Sequence, residues 1–128
     1  MGAVVLDAGV VIAWFVADDV RHARSTAALR SVREEELRLP ASAYAEALVR
    51  HAVAGSVADA RARIDAVAIR IDAIGVDTAA AAASIRARHR ALRLPDALVL
   101  GYAEVIDADV VLTTDRRWKR VSDRVHVV

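Results

Sequence analysis

Ala3-Val4-Val5-Leu6-Asp7 is the stretch on which the fold turns. Its four apolar residues run without a polar break, as a strand covered on both faces requires. An acid follows at once. Near the other end of the chain, Val110-Val111-Leu112-Thr113-Thr114-Asp115 has the same form, an apolar run and then an acid a short step beyond it. Ligands of an open parallel sheet bind beyond the carboxyl ends of its strands. Asp7 and Asp115 therefore stand where a site is expected.

Between these stretches the pattern alternates. Gly9 to Val16 suits a short helix. Asp18 and Asp19 precede a helix from His22 to about Glu35, with Glu34-Glu35-Glu36 as its solvated end, badly matched to the helix dipole. Leu37–Pro40 reads as a second strand. Ser42 is placed to cap the next helix, whose buried face would carry Leu48, Val49, Ala52 and Val53, with Gly55 ending it. Ser56 opens another helix through Ala60, Ile64 and Val67. The third strand is Ile69–Asp72 or Ile74–Val76. Asp77 or Thr78 then caps an alanine-rich helix to about Leu92. Pro95 suits the first turn of the following helix, which carries Leu98, Val99, Ala103 and Ile106. Val110–Thr113 is the fourth strand, Arg116–Val121 a short helix or turn, and Val125–Val128 the last strand. Strands alternating with helices predict an α/β domain, a parallel sheet with helices on both faces.

The chain has 128 residues, the size of one domain. Its hydrophobic share of 56% is enough to build a core without staples. Cysteine is absent, which excludes a disulfide framework, a zinc ribbon and thiol catalysis. Asp7 interrupts the first apolar run, which argues against a signal peptide, and no run reaches the roughly 18 residues of a membrane span. A cytoplasmic protein without a membrane partner is expected. The net charge of +1 provides no global field that would point to nucleic acid.

Two further acids keep unusual company. Asp96 sits between Pro95 and Ala97-Leu98-Val99-Leu100, with apolar i+3 and i+4 neighbours. Glu46, in Tyr44-Ala45-Glu46-Ala47-Leu48-Val49, lies at the edge of a buried face. Simpler roles exist for each: Asp7 and Asp115 as caps, Asp96 as a first-turn acid, Glu46 as a partner of Arg50. Together, however, four carboxylates beside apolar walls repel one another, and a hard divalent cation relieves that repulsion. An acid-only cluster without His or Cys suits Mg²⁺ or Mn²⁺ rather than zinc. Glu104 lies two helical turns, roughly 12 Å, beyond Asp96, too far to share a cation. It reads as a partner of a basic residue or part of a subunit contact.

These stretches resemble the motifs of PIN-domain ribonucleases. Val4-Val5-Leu6-Asp7 with Val10-Val11-Ile12-Ala13 is similar to the first motif. Leu39-Pro40 followed by Tyr44-Ala45-Glu46-Ala47-Leu48 is similar to the second. Leu94-Pro95-Asp96-Ala97-Leu98-Val99-Leu100 resembles the third, and Val110-Val111-Leu112-Thr113-Thr114-Asp115 the fourth. Order, spacing and length match over essentially the whole chain, which implies a single PIN domain over residues 1–128. The implied fold is a three-layer α/β/α sandwich with a central parallel sheet of four or five strands. The implied activity is metal-dependent endonucleolytic hydrolysis of RNA, leaving a 5′-phosphate and a 3′-hydroxyl.

By position, the resemblance makes Asp7 and Asp96 the principal metal ligands. Asp115 completes the cluster directly or through water. Glu46 holds a second metal or orients the attacking water, and Thr113 braces a carboxylate. The short bacterial form is similar to VapC toxins, which implies a cognate antitoxin presenting Arg to the acids, and a homodimer. One position departs from the pattern. The family usually has Ser, Thr or Asn two residues after the first Asp, and Gly9 stands there.

RNA binding needs basic contacts. Arg86, Arg88, Arg90 and Arg93 precede Asp96, and Arg116, Arg117, Lys119 and Arg120 follow Asp115. Arg93, Arg116, Arg117 and Lys119 are the leading candidates. Trp118 is placed either to stack a base or to pack on the sheet. Trp14 and Phe15 read as core or interface. Two alternatives stand beside the nuclease. One is a PIN-like module that binds RNA or protein without cleaving, motivated by Gly9. The other is a receiver-type signalling domain, also a small α/β protein with acids at strand ends.

Overall fold

The computed structural model describes residues 2–128. Five strands form one sheet: β1 (Ala3–Leu6), β2 (Glu36–Pro40), β3 (Arg70–Asp72), β4 (Val110–Thr113) and β5 (Val125–Val127). Their order is β3-β2-β1-β4-β5, and every neighbouring pair is parallel. The connections carry α1 (Ala8–Phe15), α2 (His22–Ser31), α3 (Ala41–Ala54), α4 (Val57–Asp65), α5 (Val76–Arg88) and α6 (Leu94–Val105), and a 3₁₀ turn spans Arg116–Arg120. The architecture is the expected three-layer α/β/α arrangement, with five strands.

The chain winds outward from β1 to β3, crosses back to β4 and winds outward again to β5. Winding therefore reverses between β1 and β4. Such a reversal opens a crevice at the carboxyl ends of the two central strands. Receiver-type domains order their strands 2-1-3-4-5, so the signalling-module alternative is overturned by topology.

The apolar runs read from the sequence form the centre. Val4, Val5, Leu6, Val111 and Leu112 are all 2% exposed or less. Leu6 pairs with Leu112 in register, and the Asp7 N–H donates to the Leu112 carbonyl at 2.9 Å. The ladder thus carries one residue past β1 and places Asp7 at the crevice floor.

Several boundaries differ from expectation. Helix α2 stops at Ser31, and the acidic triplet is not its tail. Glu36 belongs to β2, its N–H donating to the Gly2 carbonyl, and the Glu35 carboxylate accepts from the Gly2 N–H at 3.0 Å. Helix α3 begins directly behind Pro40, and Ser42 forms no cap. Its buried positions are Ala43 and Ala47, whereas Val49 and Val53 face solvent. The helix is packed among α1, α4 and α6, and the small side chains of Ala43 and Ala47 are what it buries there. The third strand takes the earlier of its two candidate positions, and α5 starts at Val76 with Gly75 as its cap residue.

Helices α5 and α6 also pack tightly. A Cβ placed on Gly101 of α6 would lie 2.8 Å from the Ala82 backbone nitrogen and 3.1 Å from the Thr78 carbonyl oxygen. Backbone cannot yield there as a side chain would. Alanine at this position gains about 1 kcal/mol in helix propensity, and overpacking costs about 1–3 kcal/mol. Gly101→Ala is therefore expected to lower stability in urea denaturation, and Gly101→Val to lower it further. A stabilised Gly101→Ala would show that the two helices are not in backbone contact.

Candidate active site

Asp7 caps α1. Its Oδ1 accepts from the Ala8 N–H at 2.8 Å, and its Oδ2 accepts from the Thr113 hydroxyl at 2.9 Å. Both oxygens are held, and the residue is 8% exposed. Burial raises its pKa from 3.8 to about 7. The bonds from Thr113 and Ala8 work against that rise, and the charges of Asp96 and Glu46 add to it.

Asp96 lies in the first turn of α6, where the helix dipole favours a carboxylate, and it too is buried. Glu46 projects from α3, half-buried. Burial raises its pKa, the Asp96 charge raises it further, and the Arg93 charge opposes both. It has no ion pair within 4 Å among the described residues, Arg50 included. Asp7, Glu46 and Asp96 thus come from β1, α3 and α6 into one mutually repelling group.

Asp115 stands at the rim of that group. Its Oδ1 caps the 3₁₀ turn through the Arg117 N–H at 2.9 Å. Thr113 links it to Asp7, because the Thr113 oxygen accepts from the Asp115 N–H at 3.0 Å while its proton goes to Asp7. Hydrogen bonding from Arg117 holds Asp115 below its ordinary pKa against the opposing effect of burial.

Two arginines expected to face RNA are instead bonded to carboxylates. Arg93 grips Asp96 through two contacts of 3.2 Å, and Arg117 Nη2 lies 2.7 Å from Asp115 Oδ2. Both guanidiniums project into solvent, with side-chain exposures of 68% and 79%. Their carboxylate partners are far more shielded, at 8% and 24%, so each arginine is free on its solvent side and anchored only at its tip. With the side chains so placed, no three His, Asp or Glu groups among the described residues stand close enough to hold a metal ion together. The acids nevertheless offer an all-oxygen donor set, the kind that a hard divalent cation takes.

Gly9 has a structural explanation. A Cβ there would lie 2.5 Å from Thr114 Oγ1 and 3.7 Å from Asp7 Oδ2. The Thr114 hydroxyl occupies the volume that a residue 9 side chain would enter, beside the same carboxylate.

Two hollows flank the acids. One, of about 260 Å³, lies between the α5–α6 loop and the 3₁₀ turn and reaches Asp96 and Arg117. The other, of about 500 Å³, reaches Asp115 and Arg117 and is walled by Arg21, Arg24, Arg116 and Thr114. Lys119 lines a neighbouring recess with Arg24 and Arg116. Arg21 and Arg24 escaped the sequence reading because they are distant in sequence from every acid of the site. Trp118 is 1% exposed, so it packs in the core and stacks no base. Trp14 and Phe15 line neither hollow and pack near Arg63. Glu104 is exposed and has no ion-pair partner among the described residues.

The PIN domain family model matches residues 4–124. No curated protein sequence matches significantly. Among solved structures, the chain is similar to a toxin–antitoxin complex from Klebsiella pneumoniae, with 18% identity, a TM-score of 0.78 and coverage of 97% of this chain and 96% of that one. It is similar to VapBC from Rickettsia felis bound to a promoter DNA fragment, with 12% identity, a TM-score of 0.75 and coverage of 98% of each chain. It is also similar to a VapC toxin from Mycobacterium tuberculosis that cleaves the sarcin–ricin loop, with 16% identity, a TM-score of 0.76 and coverage of 91% and 93%. At these identities the likeness is one of fold.

The raised pKa of Asp7 has a consequence for stability. The unfolded chain holds this carboxyl near 3.8 and the folded chain near 7. Its contribution to stability is therefore full below about pH 4 and is lost as pH rises through about 7. The loss at pH 8 amounts to at most roughly 4 kcal/mol. Asp7→Asn is expected to leave stability nearly unchanged at pH 4 and to raise it by a few kcal/mol at pH 8, in urea denaturation with a chelator present. An equal effect at both pH values would show that the carboxylate is not strained.

Proposed function

The chain belongs to the PIN domain family, and on that footing we propose that it is a metal-dependent endoribonuclease and the toxin of a toxin–antitoxin pair. The observation that carries this reading is the group of Asp7, Glu46 and Asp96 at the β1/β4 crevice, with Asp115 at its rim, each of Asp7 and Glu46 pushed toward its neutral form by burial and by the neighbouring acids. Buried carboxylates of like charge persist in a folded chain only when something compensates them. The structural likeness to toxin–antitoxin proteins supports the toxin reading.

Asp7 and Asp96 are the residues to hold Mg²⁺ or Mn²⁺, with Asp115 completing the set directly or through water. When bound, such a cation stabilises the charge that develops at phosphorus and eases deprotonation of the attacking water. Thr113 fixes the Asp7 carboxylate in orientation, as outer partners of metal ligands do. Glu46, half-buried and without an ion-pair partner, takes a second cation or orients the water. Arg93 and Arg117 release their carboxylates and turn to the RNA phosphates. Arg116 and Lys119 join Arg21 and Arg24 in receiving the strand along the polar hollow. A cognate antitoxin would compete for the same acids with arginines of its own, and a homodimer is the expected assembly. No helix among the described residues is long and apolar enough to cross a membrane.

The binding-only alternative draws on the missing hydroxyl at Gly9; Thr114 Oγ1 lies 2.5 Å from where a Cβ of residue 9 would stand, and the cleavage assay below decides between the two readings.

Cleavage of single-stranded RNA in Mn²⁺ tests the proposal. The chain is expected to cut, and a chelator to stop it. Asp96→Asn should lose more than the 10–100-fold typical of removing an outer partner of a metal ligand, and Thr113→Val should lose about that much. Equal cleavage by the parent chain and Asp96→Asn would refute the metal-cluster mechanism.

A further inference from the structure

The two hollows beside the acids differ in chemistry. The larger is walled by arginines and the Thr114 hydroxyl and suits phosphates. The smaller has an apolar floor of Leu92, Val121 and Ala91, with Arg90, Arg93 and Arg120 around it. A phosphate gains nothing from an apolar floor. A flat aromatic ring gains both from the floor and from guanidiniums at its faces. At about 260 Å³ the hollow is smaller than a drug-sized pocket, so it suits a single ring system.

Two of its four arginines are also without a carboxylate partner among the described residues. Neither Arg90 nor Arg120 has a carboxylate within 4 Å among the described residues, whereas Arg93 and Arg117 do. Both are exposed, and neither is required by the fold. The hollow shares Asp96 and Arg117 with the acid group. A ring lodged there belongs to a nucleotide that adjoins the cleaved bond. The half-buried His89 ring also lines the hollow, whereas Trp118 is buried and unable to serve.

We propose that this hollow is a base subsite: it receives the nucleobase beside the scissile phosphodiester, over Leu92 and Val121 and against the guanidiniums of Arg90 and Arg120. The subsite rests on the nuclease reading and gives that reading a source of sequence preference, because the ring it accepts decides which bond lies over the acids. A protein side chain is the competing occupant. The free arginines favour RNA, whose phosphates bring the opposite charge to the same wall.

The test separates base from phosphate. Binding of a short fluorescein-labelled oligouridylate is measured in chelator, where no metal-dependent cutting occurs, and compared with its abasic counterpart of equal length and charge. The parent chain is expected to prefer the intact strand. In Arg90→Ala/Arg120→Ala that preference should shrink about tenfold, the scale of one base stacked on a side chain. Both substitutions are on exposed residues, and the abasic strand reports any general loss of charge. If the two strands weaken equally, the arginines contact phosphate and the subsite is refuted. If the parent chain does not distinguish the strands, or binds neither, it is refuted as well, and the hollow passes to a protein side chain. The nuclease reading is judged apart, by cleavage in Mn²⁺. Cutting with an unshrunken preference removes the subsite alone. A shrunken preference with no cutting removes the nuclease, and with it the scissile bond, and leaves a base-binding hollow.

Discussion

The Asp7 carboxylate is held between the Ala8 N–H and the Thr113 hydroxyl, at a depth where water cannot solvate it. Each contact belongs to a different requirement. The bond from Ala8 starts α1, so the carboxylate is an ordinary helix cap. The bond from Thr113 ties the end of β1 to the end of β4, the two strands between which the sheet reverses its winding. The same oxygen of Thr113 accepts from the Asp115 N–H, which sets the entry to the 3₁₀ turn. One buried acid thus fixes a helix start, a strand junction and the rim of the site. Its simple structural role and its proposed chemical role are fulfilled by the same geometry and do not compete.

That geometry is costly without a counter-charge. Folding brings Asp96 and Glu46 toward Asp7, and each adds to the burden of an already desolvated group. The chain meets part of this with Arg93 and Arg117, but it does so with long, exposed arms. A buried pair would be hard to break, because separating it strands a charge in a medium of low dielectric. An exposed arm can leave and be solvated. The carboxylate that it leaves is shielded, however, so its departure calls for another counter-charge in its place.

The parts of the fold set by local chemistry were legible in the sequence. The runs of β1 and β4 are apolar throughout because both faces are covered, and their ends were read correctly. Asp7, Asp96 and Asp115 stood out because each adjoins such a run or an inward helical stripe. What escaped was set by contacts between elements. The inner face of α3 was assigned to its larger side chains, whereas packing against its several neighbours buries Ala43 and Ala47. The acidic triplet read as a helix tail instead leads into β2, which Glu36 begins, because Gly2 offers partners to Glu35 and Glu36 that no local pattern reveals. Arg21 and Arg24 reach the crevice only because α2 folds back beside the 3₁₀ turn, and no spacing in the sequence predicts that meeting.

Net charge was uninformative for a related reason. A total of +1 conceals a sharp segregation, with carboxylates at the crevice floor and guanidiniums around its edge. Fields that matter for an anionic polymer act within about a Debye length, near 8–10 Å, so arrangement decides and the sum does not. An acidic floor repels RNA, and a basic rim attracts it. On the proposed function, the basic rim suffices to hold a strand beside the acids, and a cation on the floor would strengthen that hold by removing the repulsion directly beneath it.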